Sequence, residues 1–312
     1  MSQGLAVEAR GLQRRFGDTM ALDDVSFDVA PGELFGVIGP DGAGKTTLFR
    51  VLVTLLLPDA GSARVLERDV VRDLWELRRR IGYMPGRFSL YPDLSVAENL
   101  GFYAALFDTT VAAARETIAP IWRQLEPFAG RRAGALSGGM KQKLALCCAL
   151  VHRPEILLLD EPTTGVDAVS RREFWDLLGR LRAQGLPIVV STPYMDEADL
   201  CDRVTLMQRG KLLVTDRPAE IGRRYPRPLL AVRGGSILGL LGILRRFPHA
   251  AAVWPFGAAL HYTDARAGAA PEGVAAELRA YVASAGLGGV SVEPIAAGIE
   301  DAFMWHMAEE AA

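Results

Sequence analysis

The sequence predicts an α/β fold whose main sheet is parallel and covered by helices on both faces. Three observations support this prediction. Short apolar runs of strand length alternate with helical stretches through residues 34–208. A glycine-rich loop joins the first of these runs directly to a helix. Of the 312 residues, 50% are hydrophobic and 23% are charged, a composition typical of folded proteins.

The elements of this fold follow in order from their patterns. Alternation over residues 5–10 and a strand-like stretch over 25–29 predict an opening β-meander, an antiparallel subdomain that ends at a Pro-Gly turn. The apolar run 34–38 predicts a buried strand, and the stretch 46–56, closed by a proline, predicts a helix. Further strands are predicted over 80–84, 156–160, 188–191 and 204–208, with helices over 138–151 and 169–184.

A helical insertion interrupts this alternation. The strand patterns stop after residues 80–84. Two helices are predicted next, one over 96–107 after a Ser95 cap and one over 111–124. The insertion therefore covers about residues 86–135 of the α/β domain.

A second, smaller domain is predicted at the C-terminal end. Pro226 and Pro228 mark a boundary between the two. We therefore expect one domain over residues 1–224 and another over 225–312. The second domain shows a β-α-β-β-α-β pattern, which predicts a small α+β domain of ferredoxin-like type. Its strands are expected over 229–233, 251–255, 258–262 and 290–294, and its helices over 237–246 and 271–285.

Charge, cysteines and apolar runs exclude several classes of protein. The net charge of −2 lacks the surplus of Lys and Arg typical of nucleic-acid binders, so we expect no nucleic-acid partner. Cys147, Cys148 and Cys201 show no metal-ligand or redox spacing and are expected to be reduced, partly buried thiols. No export signal is evident, and the longest apolar runs are well below the roughly 20 residues of a membrane span. We therefore expect a cytoplasmic chain that serves any membrane through a partner.

A phosphate-binding loop is predicted between the strand over 34–38 and the helix that follows it. Residues 39–46 match the pattern G-x-x-x-x-G-K-[ST] in that strand–loop–helix context. Backbone N–H groups of such a loop surround phosphate oxygens, Lys45 supplies a charge for the β- and γ-phosphates, and the Thr46 hydroxyl binds Mg²⁺. The predicted ATP-binding residues of the loop are Gly39, Pro40, Asp41, Gly42, Ala43, Gly44, Lys45, Thr46 and Thr47.

Two carboxylates end a later strand. The apolar run 156–159 leads directly into Asp160 and Glu161. Asp160 is expected to hold the Mg²⁺ shell, and Glu161 to orient or deprotonate the attacking water as the catalytic residue. An acid pair alone is a weak signal, but a phosphate loop in the same domain makes it indicate an ATP-hydrolysing site.

The residues before this acid pair carry a family resemblance. Residues 136–142, with the sequence Leu-Ser-Gly-Gly-Met-Lys-Gln, resemble the signature motif of the ABC ATPases. The motif also opens a helix, so the Ser137 hydroxyl and the amides of Gly138 and Gly139 predict a second anion site. The resemblance covers residues 5–221 and implies a P-loop NTPase with a RecA-like sheet. It also implies that this second site faces ATP held by another nucleotide-binding domain.

Weaker features agree with this resemblance. Phe16 stands where the family stacks an aromatic ring on adenine, although a lone phenylalanine is as often a core residue. Residues 163–167 resemble the loop that reaches across the dimer of nucleotide-binding domains. Residues 298–303 resemble the additional domain of the drug- and ion-exporter branch, which works with ABC-2 type permeases. Residues 191–198 resemble the first half of the tandem exporter ATPases.

Three positions depart from the family pattern. Gly86 replaces a glutamine that contacts the metal, and Pro193 replaces a histidine that contacts the γ-phosphate. Asp41 replaces an asparagine and places an extra carboxylate near a polyanion. Two interpretations remain open. In the first, Glu161 still supports slow ATP turnover. In the second, the chain hydrolyses ATP poorly at its own site, and its signature motif completes the site of a different partner. The missing donors favour the second interpretation.

The sequence therefore predicts an ATP-binding motor subunit of a membrane exporter. The resemblance implies ATP and Mg²⁺ as cofactors, with an ABC-2 type permease and a second nucleotide-binding domain as partners, in a homodimer or a heterodimer. Such a chain would lie on the inner face of the cell membrane. The alternatives are a soluble ABC ATPase acting on a ribosome or nucleic acid, and an ATP-gated regulatory subunit without useful turnover. The C-terminal domain either adds dimer surface or regulates the closed pair.

Overall fold

The computed structural model describes residues 4–86 and 90–311. The chain divides into two compact units, Met1–Pro218 and Ala219–Ala312, and each has its own hydrophobic core. The first unit ends a few residues before the boundary expected from the sequence. In the described part of the chain, every helix is too short or too polar to span a bilayer.

An antiparallel sheet opens the first unit, as the sequence predicts. It consists of β1 (Val7–Phe16), β2 (Thr19–Val29), β4 (Ala60–Val65) and the short β5 (Arg68–Asp69), in the order β2-β1-β4-β5. The first two strands form a long hairpin that pairs Phe16 with Thr19 at its tip. β4, β5 and the full length of the hairpin were not predicted from the sequence. Register shifts in β1 break the alternation that would have predicted a continuous strand.

The central sheet has six strands in the part of the chain that the structure describes, in the order β10-β9-β3-β8-β7-β6. They are β3 (Leu34–Ile38), β6 (Ile81–Met84), β7 (Ile156–Asp160), β8 (Ile188–Thr192), β9 (Arg203–Gln208) and β10 (Lys211–Asp216). The first five are parallel, which confirms the predicted parallel sheet. β10 runs antiparallel to β9 at the edge. It was not predicted, because it is only partly buried and lacks the long apolar run of β3, β7 and β8.

The helices of the first unit are α1 (Lys45–Leu52), α2 (Leu74–Arg80), α3 (Val96–Leu106), α4 (Arg115–Leu125), α5 (Gly138–Leu150) and α6 (Ala168–Ala183), and α7 (Pro218–Arg223) begins at its last residue. All of them except α2 and α7, which were not predicted, lie within a few residues of their predicted positions. α3 and α4 form the predicted helical insertion. The Ser95 hydroxyl caps α3 by accepting from the N–H of Glu98, whose carboxylate accepts from the N–H of Ser95. α1 ends before residue 56 because Thr54 has a left-handed φ of 64°.

The second unit is a four-stranded antiparallel sheet with helices. Its elements are β11 (Leu229–Arg233), α8 (Ile237–Leu244), β12 (Ala250–Phe256), β13 (Ala259–Asp264), α9 (Pro271–Ser284), β14 (Ser291–Pro294) and α10 (Ile299–Ala311). The strand order is β12-β13-β11-β14, so the first strand lies inside the sheet between β13 and β14. The predicted β-α-β-β-α-β pattern is present. α10 was not predicted.

The three cysteines are free and buried, as expected. Burial raises the pKa of Cys147 and Cys148 in α5 and of Cys201 before β9. Burial therefore favours the protonated form of these thiols.

Candidate functional site

A cleft of about 480 Å³ opens beside the loop between β3 and α1. One wall is the start of β2, and the turn between β9 and β10 adds Arg209. Glu161, which follows β7, enters from the central sheet. The residues that line the cleft are Thr19, Met20, Ala21, Asp41, Gly42, Ala43, Gly44, Lys45, Thr46, Thr47, Glu161 and Arg209. Most of the predicted phosphate loop therefore shares one cavity with one carboxylate of the predicted acid pair.

The backbone of the phosphate loop depends on its glycines. Gly44 has a φ of 107° and stands immediately before the first turn of α1. A Cβ on Gly44 would lie 2.4 Å from the carbonyl oxygen of Ala21, and one on Gly39 would lie 2.1 Å from that of Met207. No larger residue fits either position without moving backbone. The N-terminal N–H groups of α1 consequently face the cleft, and no acidic side chain occupies its first turn.

Lys45 is held inside the loop that it belongs to. Its side chain is 3% exposed, and its Nζ donates to the carbonyl oxygens of Gly39 at 2.7 Å and Pro40 at 2.9 Å. The same Nζ lies 3.0 Å from Oε1 of Glu161. Gly39 and Pro40 thus lie behind the cleft and position the lysine, whereas Lys45 and Glu161 meet at its floor.

Asp160 and Glu161 point in different directions from the end of β7. Asp160 is 1% exposed and accepts hydrogen bonds from the Ser191 hydroxyl at 2.6 Å and from the Thr46 hydroxyl. Burial raises the pKa of Asp160, and these two hydrogen bonds oppose that shift. Glu161 has a left-handed φ of 49°, which reverses the chain so that its carboxylate reaches the cleft. Its N–H donates to the Ser191 hydroxyl at 3.0 Å.

Gly86 lies beside this acid pair, and Pro193 follows β8, the strand that pairs with β7. A Cβ on Gly86 would lie 3.2 Å from the carbonyl oxygen of Asp160 and 3.7 Å from its Oδ2, so a side chain at position 86 would face this carboxylate. Pro193 follows β8 directly and has no N–H to donate. Neither residue lines the cleft.

A buried hydrogen-bond network behind the acid pair was not predicted. Glu197 is 2% exposed and accepts from the hydroxyls of Thr192 and Thr163, the latter at 2.8 Å. The Arg171 guanidinium lies 3.8 Å from Glu197 and covers the ring of Tyr194. Glu197 therefore joins the segments that follow β7 and β8. A carboxylate four residues after a proline carries no sequence pattern that distinguishes it from a solvated residue.

The signature residues lie elsewhere on the first unit. Ser137 caps α5, and its hydroxyl accepts from the N–H of Met140 at 3.3 Å. A Cβ on Gly139 would lie 2.5 Å from Ser170, so this glycine allows α5 to approach α6 closely. Ser137, Gly138 and Gly139 do not line the cleft that contains Lys45.

Phe16 lies at the tip of the β1–β2 hairpin and is 46% exposed, which excludes the alternative that it is a core residue. It does not line the cleft, but its pairing partner Thr19 does. The Arg14 guanidinium stacks on the Phe16 ring, 4.8 Å from its centroid, and is held by Asp59 at 2.6 Å. The aromatic ring is therefore a fixed, accessible surface next to the cleft.

Comparison with known proteins identifies the family. The model of the family described as ABC transporter matches residues 22–164. The Nod factor export ATP-binding protein I of Burkholderia orbicola is 39% identical over 224 residues, which cover 69% of this chain and 74% of that protein. The chain belongs to the family of ABC transporter ATP-binding proteins.

Other members of this family are also similar to the chain. The probable multidrug ABC transporter ATP-binding protein YbhF of Escherichia coli is 47% identical over 219 residues, and the chain spans 38% of its length. A solved ATP-binding subunit of an ABC transporter superposes with a TM-score of 0.64 at 26% identity, covering 71% of this chain and 93% of that one.

A dimeric ATP-binding cassette solved after hydrolysis, with bound ADP and phosphate, has a TM-score of 0.61 at 25% identity and covers 68% of this chain. ABC ATP-binding domains bind ATP, and the cleft beside α1 is the candidate site for the nucleotide in this chain.

Proposed function

We propose that this chain binds MgATP in the cleft and uses ATP hydrolysis to drive export through a separate membrane permease. The observation that carries the proposal is the meeting of Lys45 and Glu161 at the N-terminus of α1, with Asp160 directly behind them. The relatives named as export or multidrug ATP-binding proteins favour an exporter. The alternative of a ribosome or nucleic-acid ATPase has no such support.

In this proposal the phosphate loop binds the nucleotide phosphates. The backbone N–H groups of residues 42–47 surround the β-phosphate at the positive end of α1. Lys45 turns one of its N–H donors from Glu161 to the β- and γ-phosphates. Phe16 offers its free face to adenine. Phosphate binding thus separates the Lys45–Glu161 ion pair and frees the glutamate.

The residues present fit a magnesium ion. The Thr46 hydroxyl and the Asp160 carboxylate are hydrogen-bonded to each other, and both are hard oxygen ligands of the kind that Mg²⁺ prefers. In the described residues no group of three His, Cys, Asp or Glu side chains forms a metal site, which suits an ion bound mainly through substrate phosphates. Mg²⁺ would neutralise the charge that develops on the phosphate oxygens.

Glu161 is the proposed catalytic residue. Its backbone is fixed by the hydrogen bond to Ser191, while its side chain is 20% exposed at the cleft. Once released from Lys45, the carboxylate can accept a proton from the attacking water or orient it. The hydroxyl of Thr164, 3.4 Å from Oε2 of Glu161, is the next nearest polar group that the structure gives it.

A second nucleotide-binding domain completes the proposed site. Ser137, Gly138 and Gly139 lie at the N-terminus of α5 but outside their own chain's cleft. We infer that they bind the γ-phosphate of a nucleotide held by a partner domain, in a homodimer or a heterodimer.

An apolar groove on the first unit is the proposed docking site for the permease. It has a volume of about 390 Å³ and lies between the helical insertion and the end of α1. Its lining includes the exposed leucines Leu55 and Leu106, and Tyr83 of β6. An apolar helix of an ABC-2 type permease fits such a groove, and β6 leads from it towards Gly86 beside Asp160. This arrangement would place the chain on the inner face of the membrane.

One observation favours a second candidate function, an ATP-gated subunit that turns over little ATP. Gly86 has no side chain that could act as a donor beside Asp160, and Pro193 has no N–H to donate after β8. Its intact signature residues would then serve a catalytically complete partner. The two candidates differ in the ATPase rate of the purified chain alone.

The test is reconstitution with the candidate permease in liposomes. We expect ATP-dependent export that Glu161→Gln or Leu106→Asp abolishes, while Leu200→Asp, at an exposed leucine outside the groove, leaves it unchanged. Export that needs no ATP, or that survives Leu106→Asp, contradicts the proposal. Fast ATP hydrolysis by the chain alone that Glu161→Gln abolishes contradicts the second candidate.

A further inference from the structure

Arg209 stands on the wall of the nucleotide cleft and has no assigned role. It is exposed, and within the described residues it makes no hydrogen bond or ion pair. Lys45, the other cation of the cleft, is already bonded to two carbonyl oxygens and to Glu161. Arg209 is therefore the positive side chain of the cleft that has its donors available.

The turn that carries Arg209 is fixed to both walls of the cleft. Gly210 donates its N–H to the carbonyl oxygen of Ala43 at 2.8 Å, and its own carbonyl oxygen accepts from the N–H of Asp23 at 2.8 Å. The first bond reaches the phosphate loop and the second reaches β2. The Cα position of Arg209 is consequently set by the same backbone that shapes the phosphate loop.

Arginine is an unfavourable residue for this turn. Arg209 has a φ of 44° and Gly210 a φ of 82°, the left-handed pair of a two-residue hairpin turn in which Asn-Gly or Asp-Gly is preferred. Backbone strain at a residue that makes no side-chain bond within its own chain indicates that the side chain binds a ligand. The side chain lines the cleft, so the ligand available to it is the nucleotide.

The charges of the residues that line the cleft also indicate that Arg209 contacts the nucleotide. Asp41 and Glu161 contribute two negative charges, and Lys45 and Arg209 contribute two positive charges. Without Arg209 the lining would be net negative, which opposes binding of a polyphosphate. With it, the carboxylate of Asp41 is balanced.

We propose that Arg209 binds the α- and β-phosphates of the nucleotide and offsets the charge of Asp41. The turn is bonded to β2, whose residues 19–21 line the cleft on the side of the Phe16 hairpin tip, whereas Glu161 enters from β7. Arg209 therefore meets the part of the nucleotide that ATP and ADP share. The inference rests on nucleotide binding in the proposed function and is independent of the permease.

The test is a titration of the full-length chain with ATP, ADP and adenosine. Arg209→Asn removes the charge and suits the left-handed turn, so a loss of binding is not a loss of fold. We expect it to weaken ATP and ADP binding equally, by about tenfold, because one charge-assisted contact is lost. Arg209→Lys keeps the charge and is expected to stay within about threefold of the wild type. Adenosine binding is unchanged in both.

Lys211→Ala is the matched control. It removes a cation from the same hairpin, where Lys211 pairs with Asp23 outside the cleft lining. An equal loss in Lys211→Ala, unchanged ATP and ADP affinity in Arg209→Asn, or a loss for ATP alone would each overturn the inference. A loss for adenosine as well would place Arg209 on the base or ribose and overturn it too. Absence of nucleotide binding by the wild type would instead contradict the proposed function.

Discussion

Asp41 sets a negative charge in the cleft where the polyphosphate is proposed to bind. Its side chain is exposed and makes no bond to another residue in the described part of the chain. We expect Asp41→Asn to tighten MgATP binding about three- to tenfold at low salt, because a carboxylate–phosphate repulsion of about 1 kcal/mol is removed. Calorimetric titration at two salt concentrations measures this, and the gain should shrink as salt rises.

Asp108→Asn provides the control for that experiment. Asp108 is exposed, follows α3, does not line the cleft, and has a φ of 52° that asparagine accepts. It changes the net charge by the same amount and should leave nucleotide affinity unaltered. Weaker or unchanged binding in Asp41→Asn would show that the carboxylate does not face the phosphates.

Asp160 makes the stability of the nucleotide-free protein depend on pH. Burial raises its pKa, so the folded state holds its proton at a pH where the unfolded chain has lost it. The free energy of unfolding therefore falls as the pH rises through this window and stays lower at neutral pH. Asp160→Asn keeps an oxygen acceptor for the Ser191 hydroxyl and removes the buried charge.

We accordingly expect Asp160→Asn to raise the Tm at pH 7, by roughly 2–4 °C for each kcal/mol gained, with the difference vanishing near pH 4. Thermal unfolding without nucleotide or Mg²⁺ at both pH values measures it. A Tm below that of the wild type at pH 7 would mean that the hydrogen bonds from Ser191 and Thr46 outweigh the cost of burial.

At the scale of elements, Glu197 holds together the segments after β7 and β8. It accepts from the hydroxyls of Thr163 and Thr192 in a buried environment. We expect Glu197→Ala to lower the free energy of unfolding by about 2–4 kcal/mol, because two buried hydroxyls lose their acceptor and a cavity is left. Glu197→Gln keeps an acceptor oxygen and should cost about half as much.

Urea unfolding curves of the two variants measure this effect. Asp199→Asn, at an exposed acid on the same turn, is the control and should stay within about 0.5 kcal/mol of the wild type. If Glu197→Ala unfolds at the wild-type urea concentration, the network does not join the two segments.

The elements also show which features a sequence pattern can predict. Strands buried along their whole length, such as β7 and β8, appear as continuous apolar runs and were placed to within a residue. Partly buried β10 has no such run, and the end of α1 is decided by the backbone of Thr54. The phosphate loop was predictable because its spacing encodes its geometry. Arg209 was not, because only the packing of its turn brings it to the cleft.

At the scale of the whole molecule, the first unit supplies one half of each of two proposed composite sites. The cleft with Lys45 and the signature residues from Ser137 both lie within Met1–Pro218, yet they do not share a cavity. A single chain therefore has the proposed nucleotide cleft and, apart from it, the proposed anion site at the N-terminus of α5. In the proposed function, pairing with another nucleotide-binding domain gives each of them a role.

In the second candidate function, the lack of side-chain donors at Gly86 and Pro193 limits hydrolysis in the chain's own cleft. Gly86→Gln places an amide beside the Asp160 carboxylate, since its Cβ would lie 3.7 Å from Oδ2 and needs only a small shift from the Asp160 carbonyl oxygen. Pro193→His adds a ring N–H and a backbone N–H after β8. We expect the double variant to hydrolyse ATP at least about tenfold faster than the wild type, since one preorganised donor is worth about 10²- to 10³-fold.

Phosphate release under saturating MgATP measures the rate, and Glu161→Gln in the double-variant background should abolish it. The wild-type chain alone is expected to be slow, because Glu161 can activate water but too few donors stabilise the charge that develops on the γ-phosphate. Equal rates in the two proteins would mean that Gly86 and Pro193 do not limit hydrolysis. If both rates were also fast, the chain would supply two complete sites to a homodimer, and an unlike catalytic partner would no longer be needed.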